Sequence, residues 1–154
     1  MNEEIRRELD ARFEEGGWSA ALAAVVARMN ADSGTIHVME EDGALHLRAA
    51  SAGIPERVID IVRTVPVGKG LAGLAAERKL PVTICNIQTD TSGDVRPGAR
   101  ATGLEGAIAL PMFDGDAVAG VLGVANRQER TFSAGEQALL LDIGRELAKR
   151  RAAR

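Results

Sequence analysis

The stretch Val65-Pro66-Val67-Gly68-Lys69-Gly70-Leu71-Ala72-Gly73-Leu74-Ala75-Ala76-Glu77-Arg78-Lys79-Leu80-Pro81-Val82 constrains this chain more than any other. Pro66 fixes its own φ and pushes Val65 towards extended geometry. Gly68 and Gly70 permit a sharp reversal that side chains would obstruct. From Leu71 the residues favour a helix, with Leu71, Leu74 and Ala75 on one face and Glu77, Arg78 and Lys79 on the other. Pro81 disfavours helical geometry at Leu80, so the helix stops there and the chain returns to a strand. The free N–H groups of this short helix, near Gly70 to Gly73, face whatever lies before it.

Gly68-Lys69-Gly70-Leu71-Ala72-Gly73 also has the spacing G-x-G-x-x-G, and Asp90 lies 20 residues beyond Gly70. A dinucleotide site on that spacing needs a buried parallel strand before it and a full crossover helix after it. Here Pro66 interrupts the preceding strand, and Val82-Thr83-Ile84 opens into a polar loop. The sequence therefore argues against a nicotinamide or flavin site. It assigns no cofactor.

A chain of 154 residues is sized for one domain, 1–154, with a core of its own. Hydrophobic residues at 45% and charged residues at 27% are ordinary for a soluble globular protein. A net charge of −3 gives no general pull towards nucleic acid or an anionic membrane. No apolar run reaches the ~18 residues that span a bilayer, and Met1-Asn2-Glu3-Glu4 is too acidic for a signal peptide. The one cysteine, Cys85, excludes an intrachain disulfide and fits a reducing cytoplasm. With aromatics at 3% and no tyrosine, a base-stacking platform is not expected. The expectation is a cytoplasmic protein without nucleic-acid or membrane partners.

Ile5, Leu9 and Phe13 recur every four residues, predicting an amphipathic helix over 1–15 that Gly16-Gly17 breaks. A second helix is expected over 18–29, with Leu22, Val25, Val26 and Met29 inward. Residues 35–40 and 44–49 alternate with period two around Asp42-Gly43, a hairpin signal. A two-residue turn there pairs Glu41 with Ala44. It then places Ile36, Val38, Leu45, Leu47 and Ala49 on one apolar face, and His37, Met39, His46 and Arg48 on the other. Residues 54–64 read as a short helix, with Val58, Ile59 and Val62 on its apolar side. The polar stretch 85–103 is too long for a passive connection in a compact domain. Strands are expected over 106–113 and 117–126, joined at Asp114-Gly115-Asp116; the second is apolar on both faces, as a central strand should be. Gly120 and Gly123 within it suggest close approach by another element. Ser133-Ala134-Gly135-Glu136 is a capping box opening a last helix, whose apolar face is Leu139, Leu140, Ile143 and Leu147.

This order is an α+β domain with helices on both faces of one antiparallel sheet. It resembles the GAF domain, a small-molecule sensor module of bacterial signalling proteins, over residues 18–147. The residues that carry the resemblance are Val65-Pro66-Val67-Gly68-Lys69-Gly70-Leu71-Ala72-Gly73 with Pro81-Val82, and Gly120-Val121-Leu122-Gly123-Val124. The resemblance implies a central five- or six-stranded antiparallel sheet. Terminal helices pack on one face, and a ligand pocket roofed by a short helix and a long loop lies on the other.

Several residues could carry chemistry in such a pocket. Cys85 follows the strand 82–84, where the resemblance places a pocket wall; it also reads as a small buried hydrophobe. A branch of the family reduces free methionine sulfoxide with several cysteines that form a disulfide, which a chain holding only Cys85 cannot do. A bilin-binding branch needs an aromatic lining that this chain lacks. Asn126-Arg127 with Phe132 and Gly135-Glu136 resembles the signature of cyclic-nucleotide-binding members. Arg127 stands there for a lysine and Gly135 for an aspartate, which leaves an Arg127–Glu136 ion pair or a plain helix cap. His37 and His46 have no ligand cluster beside them, so a metal site is not expected; His37 is a candidate ligand contact. Lys69 with Gly70, Leu71 and Ala72 at the helix start, facing Arg96 and Arg100 across the pocket, would suit an anion. Members of similar size bind nitrate at that helix start. Equally, Arg96 and Arg100 would pin the loop through Asp90 and Asp94.

No nucleophile, base and orienting group assemble from this sequence. The expectation is a non-enzymatic sensor of a small anion or metabolite, contacted by Lys69, Gly70, Leu71, Ala72, Cys85, Asn86, Asp90, Arg96, Arg100 and His37. It would signal to a separate protein such as a histidine kinase. A homodimer joined through its terminal helices is expected, with 1–15 as a dimer element; the other reading is that Ile5, Leu9 and Phe13 pack back on their own domain. The alternative is a small reductase working through Cys85.

Overall fold

Gly16 and Gly17 decide how the N-terminal segment joins the domain. The computed structural model describes residues 2–95 and 97–152. In it α1 spans Glu3–Arg28 but is broken at the glycine pair, where Gly17 takes φ 67° and ψ −147°. That conformation is cheap only for glycine, and it folds residues 3–15 back along the C-terminal helix. Ile5 and Leu9 are thereby buried in the main core with Trp18 and Leu147. Phe13 packs edge-on against Trp18 at 5.0 Å between ring centroids, and the Arg150 guanidinium lies 4.8 Å from the Phe13 ring. Arg150 also pairs with Asp10. The Ile5, Leu9 and Phe13 stripe, expected as a seam between two copies, is thus occupied within its own chain.

Beyond α1 come β1 (Ser33–Met39), β2 (Leu45–Ala50), α2 (Glu56–Val62), β3 (Thr64–Val65), α3 (Gly70–Arg78) and β4 (Val82–Ile84). A 3₁₀ helix at Pro97–Thr102 interrupts the long loop before β5 (Gly106–Asp114), β6 (Ala117–Asn126) and α4 (Ala134–Ala148). The six strands form one sheet in the order β3-β2-β1-β6-β5-β4, antiparallel at every pairing. β6 is central and buried along most of its length, in keeping with its apolar residues on both sides. A Cβ on Gly120 would lie 2.2 Å from the His37 carbonyl oxygen, so glycine is what lets β1 and β6 meet there.

The first hairpin differs from its expected register. Met39 pairs with Leu45 and Val38 with His46, while Ile36 pairs with Ala49 beyond a bulge. The Glu40 N–H donates to Ala44 and the Gly43 N–H to Glu40, which closes a three-residue turn, Glu41-Asp42-Gly43, with Gly43 at φ 79°. The cause is local: the Asp42 carboxylate accepts from the Ala44 N–H and holds the longer turn. The shift places Leu45 on the opposite face from Ile36 and Val38, correcting the apolar face read from alternation. His46 turns outward between Glu40 at 3.0 Å and Asp42 at 2.8 Å.

One face of the sheet carries α1 and α4 over Ile36, Val38, Leu110, Met112 and Leu122. Ser133 and Glu136 form both bonds of the capping box that starts α4. The partner of Glu136 is Arg130, at 2.6 Å, and not Arg127, whose backbone N–H donates to Asp32 instead. Arg130 also lies over the Phe132 ring and donates to Asn126, so it ties the end of β6 to the start of α4. The other face carries α2, α3 and the loop over Leu45, Ala109, Val121, Ala107 and Ala125. Among the described residues no helix is long and apolar enough to cross a membrane.

Candidate functional site

The turn before α3 sets one edge of a cavity on this second face. Gly70 takes φ 64°, which starts the helix from a left-handed residue. A Cβ on Gly73 would stand 2.4 Å from the Pro66 carbonyl oxygen, so the helix can lie against the turn only with glycine there. The Gly73 N–H donates to Lys69, and the Gly68 N–H returns to the Gly73 carbonyl. Gly70, Leu71 and Ala72 precede that first helical bond, so their N–H groups have no helical acceptor. The helix ends at Lys79, φ 56°, immediately before Leu80-Pro81.

Between this helix start, α2, the long loop and the sheet lies a cavity of about 190 Å³. Its floor is Thr35 and His37 of β1, Ala107 and Ala109 of β5, and Val121, Gly123 and Ala125 of β6. Its roof is Ile54, Val58 and Val62 with Leu71, Ile87, Val95 and Leu104. Lys69, Gly70, Leu71 and Ala72 also line it; Lys69 is exposed and therefore at the rim. The walls are almost wholly apolar. Lys69 is the one charged residue lining the cavity among the described residues.

His37 crosses from floor to roof. It is 2% exposed, and its Nε2 lies 2.8 Å from the Val62 carbonyl oxygen. A carbonyl only accepts, so Nε2 carries the hydrogen and Nδ1 of the neutral ring keeps a lone pair. Burial pushes the imidazole below its ordinary pKa of 6.5, more than the Val62 bond raises it, and the charge of His46 adds to the lowering. Nδ1 has no hydrogen-bond partner among the described residues.

The loop residues expected at the pocket are elsewhere. Arg100 donates through Nη2 to the Asp90 carbonyl at 2.7 Å and through Nε to the Ile87 carbonyl at 3.3 Å, which pins the loop. Asp90 accepts from Ser92 through its carboxylate, and Asp94 pairs with Arg78 of α3 at 3.3 Å. Asn86 donates to Glu129 at 2.8 Å and caps the Gln88 N–H. None of Asn86, Asp90 and Arg100 lines the cavity. Arg96 lies outside the described residues. Cys85 is exposed and outside the cavity, neither the pocket wall nor the buried hydrophobe that its sequence position suggests. The strand alternation explains this: Val82 and Ile84 point inward, and the chain leaves the sheet at Ile84. No three His, Cys, Asp or Glu side chains converge as a metal site among the described residues.

The sequence places Val58 and Val62 on the apolar side of the 54–64 helix without assigning them to the cavity, and it gives no sign of the bond between His37 and Val62. The apolar side of the 54–64 segment was the available signal. Nothing in the sequence says that the segment stands off the sheet far enough to leave a cavity beneath it.

Comparison with known proteins places the arrangement. The GAF domain of an Acinetobacter phosphoenolpyruvate-protein phosphotransferase superposes with a TM-score of 0.76 at 20% identity, covering 99% of this chain and 95% of that one. The free methionine-R-sulfoxide reductase of Neisseria meningitidis, solved with its substrate, gives 0.76 at 15% identity over 97% of this chain and 87% of its own. A domain of a putative two-component sensor histidine kinase from Sinorhizobium meliloti 1021 gives 0.67 at 17% identity, over 99% and 94%. At these identities the likeness is one of fold. Among curated proteins, none matches the sequence. The sequence model of the GAF domain, however, matches residues 14–149, from before the glycine break to the end of α4. With the antiparallel sheet, the short helix and the roofed cavity in place, this chain belongs to the GAF domain family.

Proposed function

We propose that this chain is a sensor domain, not an enzyme, which binds a small anionic or carboxylate-bearing metabolite in the cavity and signals through a partner protein. The observation that carries the reading is the placement of the α3 start. The three N–H groups at the α3 start that have no helical acceptor belong to residues that line the apolar cavity, and Lys69 lies exposed at its rim. An acid of small size would put its carboxylate there and its apolar part inside. The neighbours in fold include domains of a sensor kinase and of a phosphotransferase, which supports a regulatory role with output through another protein such as a histidine kinase.

Thermal-shift screening of nitrate, simple carboxylates and cyclic nucleotides tests the reading. A ligand at a hundredfold excess over its Kd stabilises by about 2.7 kcal/mol, which raises Tm by roughly 5–11 °C in a domain of this size. Lys69→Ala should weaken binding of any acid that responds. A shift with cyclic nucleotides alone would refute the anion reading.

The rival is a reductase centred on Cys85, favoured by the fold likeness to free methionine sulfoxide reductases. Against it stand the exposure of Cys85 and its position outside the cavity. Turnover of free methionine sulfoxide that disappears in Cys85→Ser would install the reductase in place of the sensor.

A further inference from the structure

The cavity is defined as much by the groups it lacks as by those it holds. Among the described residues no Asp or Glu lines it, and Lys69 is its one charged residue. Two of its polar side chains are already committed within the chain. Thr102 donates to the Ala99 carbonyl at 2.7 Å and accepts from the Leu104 N–H, and His37 is bonded to the Val62 carbonyl. Aliphatic side chains close the interior from both sides, with Val58, Ile87 and Leu104 above and Ala107, Val121 and Ala125 below. Ile61 of α2 and Lys69 before α3 are the exposed residues of the described lining, so a charged group of a ligand stays in water only beside them. Anything deeper meets hydrocarbon.

Water gains little in such a space: an apolar cavity of about 150 Å³ stays dry and takes a benzene-sized guest instead. On that scale the 190 Å³ present takes a guest of about seven heavy atoms. We infer that the ligand is an unsubstituted aliphatic monocarboxylic acid of about six to eight carbons, its chain inside the cavity. The inference rests on the reading of the cavity as an acid-binding site and adds the length and the substituents. Each methylene that enters leaves water and regains dispersion contacts with the walls. A second carboxylate at the far end of the chain would be dehydrated without a partner. An ammonium at C2 would meet the charge of Lys69 and the positive end of α3, with no acidic side chain in the described lining to offset them.

Calorimetric titration with acetate, butanoate, hexanoate, octanoate and decanoate reads the length. From butanoate to hexanoate the affinity should rise about fourfold per methylene, with no further gain beyond octanoate. Hexanedioate and 2-aminohexanoate should each bind about tenfold more weakly than hexanoate. In Val58→Ala, which opens the roof, the best length should move up by about one or two carbons. Should that variant fail to fold, methyl NMR of the wild type decides: the resonances of Val58, Val121 and Leu104 should move with hexanoate and stay with acetate. Acetate binding as tightly as hexanoate, affinity still climbing at decanoate, or either substituted acid matching hexanoate would overturn the inference and leave the sensor reading standing. So would an unmoved optimum in folded Val58→Ala, or cavity methyls that ignore hexanoate. Hexanol binding as tightly as hexanoate would mean that the carboxylate contributes nothing. That result, or absence of binding by every acid, removes the inference together with the reading it rests on.

Discussion

Leu9→Ala tests whether the N-terminal segment is part of the fold or a surface awaiting a second copy. Leu9 is 5% exposed and lies in the core cluster with Ile5, Trp18 and Leu147. Truncation to alanine removes three carbon groups, worth about 0.8 kcal/mol each in transfer free energy. A residual cavity adds to that, so the expected loss is about 3 kcal/mol. At roughly 2–4 °C per kcal/mol, Tm should fall by about 6–12 °C. Urea denaturation followed by circular dichroism measures the loss, run at two protein concentrations about a hundredfold apart. If the segment packs within its own chain, the loss is the same at both. A stripe buried between copies behaves otherwise: wild-type stability would rise by about 2.7 kcal/mol across that concentration range, and the rise would vanish in Leu9→Ala. That pattern, or a loss below about 1 kcal/mol, would refute the intramolecular packing.

Acidification should destabilise the fold through His37. Its folded pKa is depressed, so below the unfolded value of 6.5 the unfolded chain takes up a proton that the folded one refuses; stability is full above 6.5, falls towards the folded pKa and then levels off. Urea midpoints against pH should show that loss begin near 6.5, above the carboxylate range in which Asp42 and Glu136, both lowered in the folded state, contribute. Gly73→Ala should cost about 1–3 kcal/mol despite the better helix propensity of alanine, because the new Cβ meets backbone and not a movable side chain. Gly135→Ala, with nothing nearer than the Ser133 hydroxyl at 4.0 Å, is its control and should be neutral or slightly stabilising in the same melts. A thiol reagent should label Cys85 in the native protein without unfolding it, and the label should leave acid binding unchanged.

Much of the fold was legible because it rests on backbone rules that act locally. Pro81 and the left-handed Lys79 end α3 where the sequence says a helix must end. Ser133 and Glu136 start α4 by a reciprocal pair of bonds that their spacing announces. The first hairpin was read one residue wrong for an equally local reason. Asp42-Gly43 supports a two-residue turn and a three-residue turn alike, and the Asp42 bond to Ala44 selects the longer. Since a strand alternates with period two, that single residue moved Leu45 to the other face. The β3 strand went unread because two residues, Thr64 and Val65, carry no periodicity; β2 offers the edge on which they pair.

The site was less legible, because a cavity depends on distances between elements that no segment encodes. The polar residues of the long loop drew attention as ligands, yet a loop of that length must first satisfy its own backbone. Arg100, Gln88 and Asn86 do that work: between them they serve the carbonyls of Ile87, Asp90 and Leu104 and the Gln88 N–H. A loop held so from within can present Ile87, Val95 and Leu104 to the cavity and keep Asp90, Asp94 and Arg100 outside it. The same exclusion isolates His37. His46 of the neighbouring strand finds its partners at the surface, between Glu40 and Asp42. Nδ1 of His37, by contrast, is buried without a hydrogen-bond partner among the described residues.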